Sequence, residues 1–506
     1  MRHCVPELPV RNDAQQNLEG TGGMWASVRN HRTDLWLCAA LGILTYFAFR
    51  DSLHYQFLNW DDPAYITYND LIKSWSFQNL KGIATEVVTR NYAPVTIFSF
   101  LLDHTVWGMN PAGYRFTNFA LHFLNGLLAF QLLKQLGCTR FVAWTAAALF
   151  LIHPIQMESV VWISSRKGLL CTAFMLGAGI VRLRPSPSGR QEAWYLLWLV
   201  LALLSKAQAV ILAPMIMLYD LVVAKQKLVE TIPRHFIPAL VSFLLLLMTM
   251  GAQNTVLGGV RGHMSLGLLQ ILAVDVTILW QYVGKLFWPT DLCVMYDPAT
   301  RGIWKQVLAG LAGWLAVAAV FWKIRRSQPL AIYGAGCIAL LLFPVLNFFR
   351  ITTLMNDRYL YLPCLIAFAM FFGVLDRAFC WFADSVPAKV TTAALRTAVA
   401  GACLGGTMIA GAGYLPVWNS PFDLWTHTLS HYPDMPIARI QMALTEYDSG
   451  RVFTAVEQMR ASLRECKPDE LDRERMTVFL EEWEREASRK KAPEDLKTPD
   501  LLSSSL

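Results

Sequence analysis

Hydrophobic residues in this chain gather in long blocks. Runs such as Leu196–Leu204, Ile211–Leu218 and Ala239–Met250 lie inside wider apolar windows. A helix needs roughly 20 mostly apolar residues to cross a bilayer. Eleven windows approach that requirement: 35–50, 113–135, 140–152, 168–182, 191–205, 207–223, 235–252, 303–322, 330–348, 357–375 and 391–414. The pattern predicts an all-α polytopic membrane protein. Composition agrees, with only 16% charged residues where a soluble domain carries about 25%.

Charge sets the expected orientation. Short loops carry Arg182, Arg184 and Arg190; Lys225, Lys227 and Arg234; and Lys323, Arg325 and Arg326. The positive-inside rule makes all three cytoplasmic. A crossing at 269–288 would force the third loop outside, and that stretch also carries Asp275, Gln281 and Lys285. It is expected to be interfacial or re-entrant. Eleven crossings then leave the N-terminus (1–34) cytoplasmic and the C-terminus extracytoplasmic.

The net charge of +7 is not a nucleic-acid signal. Residues from Leu415 onward hold 12 basic and 17 acidic residues, while the first 414 hold 32 and 20. The excess belongs to the inter-helix loops. The ten cysteines form no CxxC pair and mostly lie in apolar segments, so they read as small packing residues. Cys466 stands alone in the tail and argues against a disulfide framework there. The first 30 or so residues show no signal-peptide cleavage pattern, so the first apolar run reads as an anchor. No N-x-S/T sequon occurs, which fits a bacterial protein and a cell inner membrane location.

Two pieces lie outside the helix pattern. The first outer loop, 51–112, is aromatic-rich. The segment 415–491 is charged and helical, and 437–468 has the small residues, Tyr447, Gly450 turn and Pro468 stop of one tetratricopeptide-like helix pair. A lone pair cannot bury its own face, so the helix expected at about 470–490 or the membrane domain should cover it. The last residues, 492–506, read as disordered.

Ionisable groups near membrane helices are costly and need a reason. Asp61 and Asp62 stand together in Trp60-Asp61-Asp62-Pro63. Confined acids raise one another's pKa, and one can serve as general base; Asp-Asp-Pro is also ordinary turn chemistry. Arg166 and Lys167 lie on the expected outer face, where cations suit a phosphate. His153 and Glu158 could form a two-ligand metal site, a weak one for a divalent cation, or could be hydrogen-bonded structurally. Lys206 interrupts an apolar run and either snorkels or contacts phosphate. Asp357 is placed to cap a helix, and Arg358 binds either a lipid phosphate or a carboxylate. Topology puts all of these on one face, whereas scattered snorkelling residues would fall on both.

In these segments the chain resembles bacterial relatives of the transmembrane and tetratricopeptide-repeat O-mannosyltransferases, polytopic glycosyltransferases of the GT-C class. The resemblance runs through FLNWDDPAYITYND, NYAPVTIFSFLLDHTVWGMNPAGYRFTNFALHFLNGLLAF, HPIQMESVVWISSRKGLL, LLSKAQAV, FWPTDLCVMYDP, LMNDRYLYLP and VWNSPFDLWTHTLSHYPDMPIAR. It covers roughly residues 55–465. It implies a GT-C-like bundle and a sugar donor linked through phosphate to a polyprenol. It implies a protein or glycan hydroxyl as acceptor. Asp61 or Asp62 would be the base of an inverting displacement, and Arg166, Lys167, Lys206 and Arg358 would steady the leaving phosphate. The chain departs from the pattern at Gly168, where bacterial relatives carry Asp, and at Ala207, where eukaryotic ones carry Glu. It also has about one repeat where those carry long arrays. An inactive relative presenting its tail as a membrane scaffold is the alternative.

Overall fold

The computed structural model describes residues 22–89, 91–183, 188–254, 266–348, 353–385, 392–465 and 470–489. Most of the 1–34 segment, Arg184, Cys466, Pro468 and the tail 492–506 lie outside them. The described chain is helical, with one isolated bridge between Val88 and Asn91. It divides into two compact units that part at Ser420 and Pro421.

The larger unit begins with α1 (Gly22–Phe49), α2 (Phe77–Thr85), α3 (Pro94–Trp107), α4 (Pro111–Gln135) and α5 (Arg140–Ile152). It continues with α6 (Met157–Val161), α7 (Arg166–Arg182), α8 (Gly189–Ser205), α9 (Leu212–Val222) and α10 (Leu228–Asn254). It ends with α11 (Leu268–Phe287), α12 (Trp304–Ile324), α13 (Pro329–Leu342), α14 (Tyr361–Ser385) and α15 (Thr392–Tyr414). Each of the eleven windows falls on a helix. The first helix starts earlier than its window, at Gly22.

Local chemistry starts and stops these helices. Asn110 caps α4 by accepting from the Ala112 N–H at 3.0 Å, with Pro111 preset at the first position. Thr139 caps α5 through the Val142 N–H at 3.3 Å. Pro154 cannot continue the ladder of α5, and the chain bends by 56° between Arg140–Ile152 and Pro154–Val161. Beyond the bend, the Val161 carbonyl accepts from Arg115 of α4, and Gln156 donates to the Tyr361 carbonyl at the start of α14. Gly126 lets α4 approach α5 closely, since a Cβ there would meet Leu151 Cδ1 at 2.5 Å.

Five described helices are long and apolar enough to cross a membrane alone, or six if the bent pair is one span. This is fewer than the eleven crossings expected. The 17 residues of α7 and of α8 give only about 26 Å of helix against a hydrocarbon core of about 30 Å. Helix length alone therefore does not carry that count.

The stretch expected to be interfacial or re-entrant is α11, 20 residues without a break. A helix of that length runs about 30 Å, so the chain does not turn back within it. Its charges also have partners. Asp275 Oδ1 accepts from Asn347 Nδ2 at 2.6 Å and from the Asn347 N–H at 3.3 Å. Lys285 donates to the Thr290 and Asp291 carbonyls. Among the described residues Asp275 Oδ2 has no hydrogen-bond partner, so the cost that argued for an interfacial position is met only in part, and α11 is not among the helices long and apolar enough to cross a membrane alone.

The smaller unit holds α16 (Pro421–His431), α17 (Pro436–Asp448), α18 (Val452–Glu465) and α19 (Glu470–Arg489). Gly450, at φ +80°, makes the turn between α17 and α18. Ala443, Ala455, Met459, Met476 and Trp483 form its core. Tyr447 stacks on Trp483, with ring centroids 4.7 Å apart. The face that α17 and α18 cannot bury between themselves is covered by α19. The unit boundary falls a few residues after the expected one, because Leu415–Trp418 forms a 3-10 turn on the end of α15.

Candidate active site

The acidic loop is sutured to the loop 158–167. The Leu58 N–H donates to Asp62 Oδ2 at 2.9 Å. The Ser164 N–H donates to Asp62 Oδ1 at 3.1 Å, and the Ser164 hydroxyl donates to the same oxygen. Arg115, fully buried in α4, donates to the carbonyls of Val161, Tyr55 and Gln56. Asp62 is fully enclosed. Burial raises its carboxyl above the ordinary carboxylate range, opposed by Ser164, Leu58 and the nearby Arg115 charge.

Asp61 has a different setting. Its side chain is 26% exposed, and Lys167 Nζ lies 3.7 Å from its Oδ2. Its backbone carbonyl accepts from the Ala64 and Tyr65 N–H groups, both at 3.1 Å. That turn fixes where the carboxylate projects. Lys167 also rests over the Tyr65 ring, 5.0 Å from the centroid.

Arg166, next in the chain to Lys167, faces inward. It is fully buried, pairs with Asp103 and donates to Asn118 Oδ1 at 2.7 Å and the Tyr114 carbonyl at 2.8 Å. Its guanidinium lies 4.4 Å over the Phe100 ring. The expectation that it meets a donor phosphate is corrected: a cation placed there by the membrane-face argument is used to tie α3 and α4 to the start of α7.

Arg358 meets one of its two readings, the carboxylate. It pairs with the buried Glu158, which also accepts from the Arg358 N–H at 2.8 Å. Its guanidinium also lies beside two stacked indoles, Trp60 and Trp162, whose centroids are 4.2 Å apart with nearly parallel rings. The guanidinium carbon is 5.4 and 5.5 Å from those rings. Lys206, at the start of the 3-10 turn Ala207–Ile211, lines a cleft with Arg358, Ser159, Ser165 and Gly168. Met175 and Leu341 line the same cleft.

The remaining candidates are buried. His153 accepts from the Ile155 N–H at 3.3 Å and caps the turn Pro154–Gln156. Asp357 accepts from the Tyr296 hydroxyl at 2.8 Å and makes no side-chain cap. Glu158 is engaged by Arg358, so the His153–Glu158 metal pair is not assembled. Among the described residues, no group of three or more His, Cys, Asp or Glu side chains gathers around one point.

The structure therefore brings together Asp61, Lys167, Lys206, Arg358 and Glu158, while Asp62, Arg166, His153 and Asp357 are buried within the protein. Sequence reasoning missed Arg115, Asp103, Ser164 and the Trp60–Trp162 stack. Arg115 did leave a trace, a lone guanidinium inside the apolar helix α4.

No family model matches the chain. It is similar to a protein O-mannosyl-transferase of Caenorhabditis elegans, 23% identical over 303 residues, or 59% of this chain and 41% of that one. It is also similar to the protein O-mannosyl-transferase TMTC1 of Mus musculus, 35% identical over 98 residues, which are 19% of this chain and 10% of that one. The chain thus spans less than half the length of these relatives. Among solved structures it is similar to the Archaeoglobus fulgidus oligosaccharyltransferase tethered with an acceptor peptide. That match has a TM-score of 0.46 and 14% identity, over 83% of this chain and 58% of that one. It is similar as well to ArnT of Cupriavidus metallidurans bound to undecaprenyl phosphate, with a TM-score of 0.35 and 12% identity over 86% and 81% of the two chains. The two curated relatives bear the name of protein O-mannosyl-transferases, and the first of the solved structures that of an oligosaccharyltransferase.

Proposed function

We propose that this protein is a membrane glycosyltransferase that moves a sugar from a polyprenyl-phosphate donor to a hydroxyl of a protein or glycan on the extracytoplasmic face. The observation that carries the reading is the accessible Asp61 carboxylate beside Lys167, with Lys206 and Arg358 in an adjoining cleft. An acid and a set of cations so placed can divide the two tasks of sugar transfer.

Asp61 takes the proton of the acceptor hydroxyl. The acceptor oxygen attacks the anomeric carbon from the face opposite the phosphate, and the bond from that carbon to the phosphate oxygen breaks. Configuration inverts, and polyprenyl phosphate leaves with the electron pair. Lys167, Lys206 and Arg358 meet the charge that builds on the leaving oxygen. Glu158 orients Arg358, while Asp62, Arg115 and Arg166 hold the loops that present Asp61 and Lys167.

The test is mass spectrometry of extracytoplasmic proteins and glycans from a deletion strain carrying the parent gene or Asp61→Asn. A glycan that returns with the parent and not with the variant supports the reading. Full restoration by Asp61→Asn, with the protein present in the membrane, would favour a scaffold that presents its helical tail.

A further inference from the structure

Successive turns of α3 meet the ends of three other helices. The Thr96 hydroxyl donates to the Ser205 carbonyl, at the end of α8, at 3.2 Å. Arg166, which opens α7, donates to the Ser99 carbonyl at 3.3 Å and pairs with Asp103. Asp103 also accepts from the Thr117 hydroxyl, near the start of α4, at 2.8 Å. A helix tied this way lies across one end of the bundle instead of running through it. Lys167, in the first turn of α7, and Lys206, after the last residue of α8, stand at that same end.

The other face of α3 is apolar and exposed. Phe98, Leu102 and Val106, four residues apart, line it. Trp75 extends the strip at one side. Its ring meets that of Phe98 with centroids 5.9 Å apart, and its Nε1 donates to the Thr105 hydroxyl at 2.8 Å. Phe77, two residues on, is also exposed. At the other side Trp107 meets Phe116, with centroids 6.1 Å apart. Phe116 begins the exposed stripe Phe116, Ala120 and Leu124 of α4, a helix long and apolar enough to cross a membrane. The strip on α3 is thus continuous with the side of a candidate span, and its tryptophans are the residues that collect at a membrane interface. An apolar patch of this kind is unusual on a surface that faces water.

We propose that α3, with Trp75 and Phe77, rests in the interfacial layer of the bilayer on the side of the candidate site, so that lipid covers this part of the first outer loop. The acidic loop is carried with it, because Tyr65, Ile66 and Ile72 pack on Ile97, Phe100 and Leu101 of α3. Lipid that seats α3 therefore also sets the depth of the loop that bears Asp61. The inference rests on the membrane character of the chain and is independent of sugar transfer.

The experiment uses the full chain in nanodiscs of phosphatidylethanolamine and phosphatidylglycerol. The photoreactive residue p-benzoylphenylalanine is placed at Phe77, Leu102 or Val106, all of them exposed, so the fold is little disturbed. Leu124 serves as the control on the span, and Glu457, in the charged smaller unit, as the control off it. After irradiation, mass spectrometry should show a phospholipid adduct at Phe77, Leu102 and Val106 as at Leu124, and none at Glu457. Lipid adducts at Leu124 alone overturn the inference. So do adducts from the strip to another protein or to a second copy of the chain, which would make it a protein interface. A Leu124 position that takes no lipid removes the continuity on which the inference stands. The glycan assay of the deletion strain reads the function separately, so failure of one does not decide the other.

Discussion

The ammonium of Lys167 lies 3.7 Å from the carboxylate of Asp61. The next carboxylate in the chain, that of Asp62, is closed off by Leu58 and Ser164. Two acids adjacent in sequence are thus separated in chemistry: one is open to a reacting group, and the other is bonded into the backbone.

Asp61→Asn removes a base while nearly keeping its size. Transfer should fall by about 10²–10⁴-fold, with the protein level in the membrane unchanged. Asp62→Asn should act on the fold instead, because its amide NH2 faces donors that now bond a carboxylate. The expected loss is about 1–3 kcal/mol, read as an earlier thermal unfolding of the purified protein. Equal effects of the two variants on transfer, without any change in unfolding, would contradict this division.

Arg166 and Lys167 should separate in the same way. Arg166→Met leaves Asp103 buried without its cation, which costs about 3–5 kcal/mol and should reduce the amount of protein in the membrane. Adding Asp103→Leu should recover part of that amount. Lys167→Met should leave the amount unchanged and weaken transfer. Quantitative immunoblotting beside a transfer assay distinguishes them.

Asp62 makes one contribution to the pH dependence of stability. Burial raises its pKa in the folded chain, so the folded state retains a proton that the unfolded chain has lost. Its contribution is therefore full below the unfolded carboxylate range near pH ~4 and is lost as pH rises through the raised folded value. The melting temperature of the parent should fall along that limb, and Asp62→Asn should flatten the fall. A variant whose profile matches the parent's would remove Asp62 as the cause.

The orientation is open to direct measurement. If the basic loops are cytoplasmic and the eleven windows cross, the segment after Leu415 is extracytoplasmic, and a reporter active only after export should be active when fused there. If α11 does not cross, Gly262→Cys and Thr300→Cys should be labelled from the same side. Labelling from opposite sides would make α11 a span, which its internally partnered Asp275 and Lys285 permit.

The sequence by itself determined the helical class of the fold and marked the residues of the candidate site. Apolar blocks have few alternatives to helix in a bilayer, because every backbone polar group must be satisfied within its own segment. For that reason the eleven windows fall on helices. The same one-dimensional signal marked Asp61, Lys167, Lys206 and Arg358, since each breaks an apolar context or stands at its edge.

Tertiary structure decided what each charged residue does. Asp61 and Asp62 are equivalent in the sequence, as are Arg166 and Lys167. Rotation about the backbone sends one of each pair outward and the other into the protein, and only the partners waiting there tell them apart. Those partners are remote in the chain: Asp62 meets Ser164, Arg166 meets Asp103, and Arg115 holds Tyr55 and Gln56. The charges on α11 show the same limit. Hydropathy prices them as if they faced lipid, whereas the folded chain supplies Asn347 and the carbonyls of Thr290 and Asp291. A buried charge is stabilised by atoms that only folding brings near.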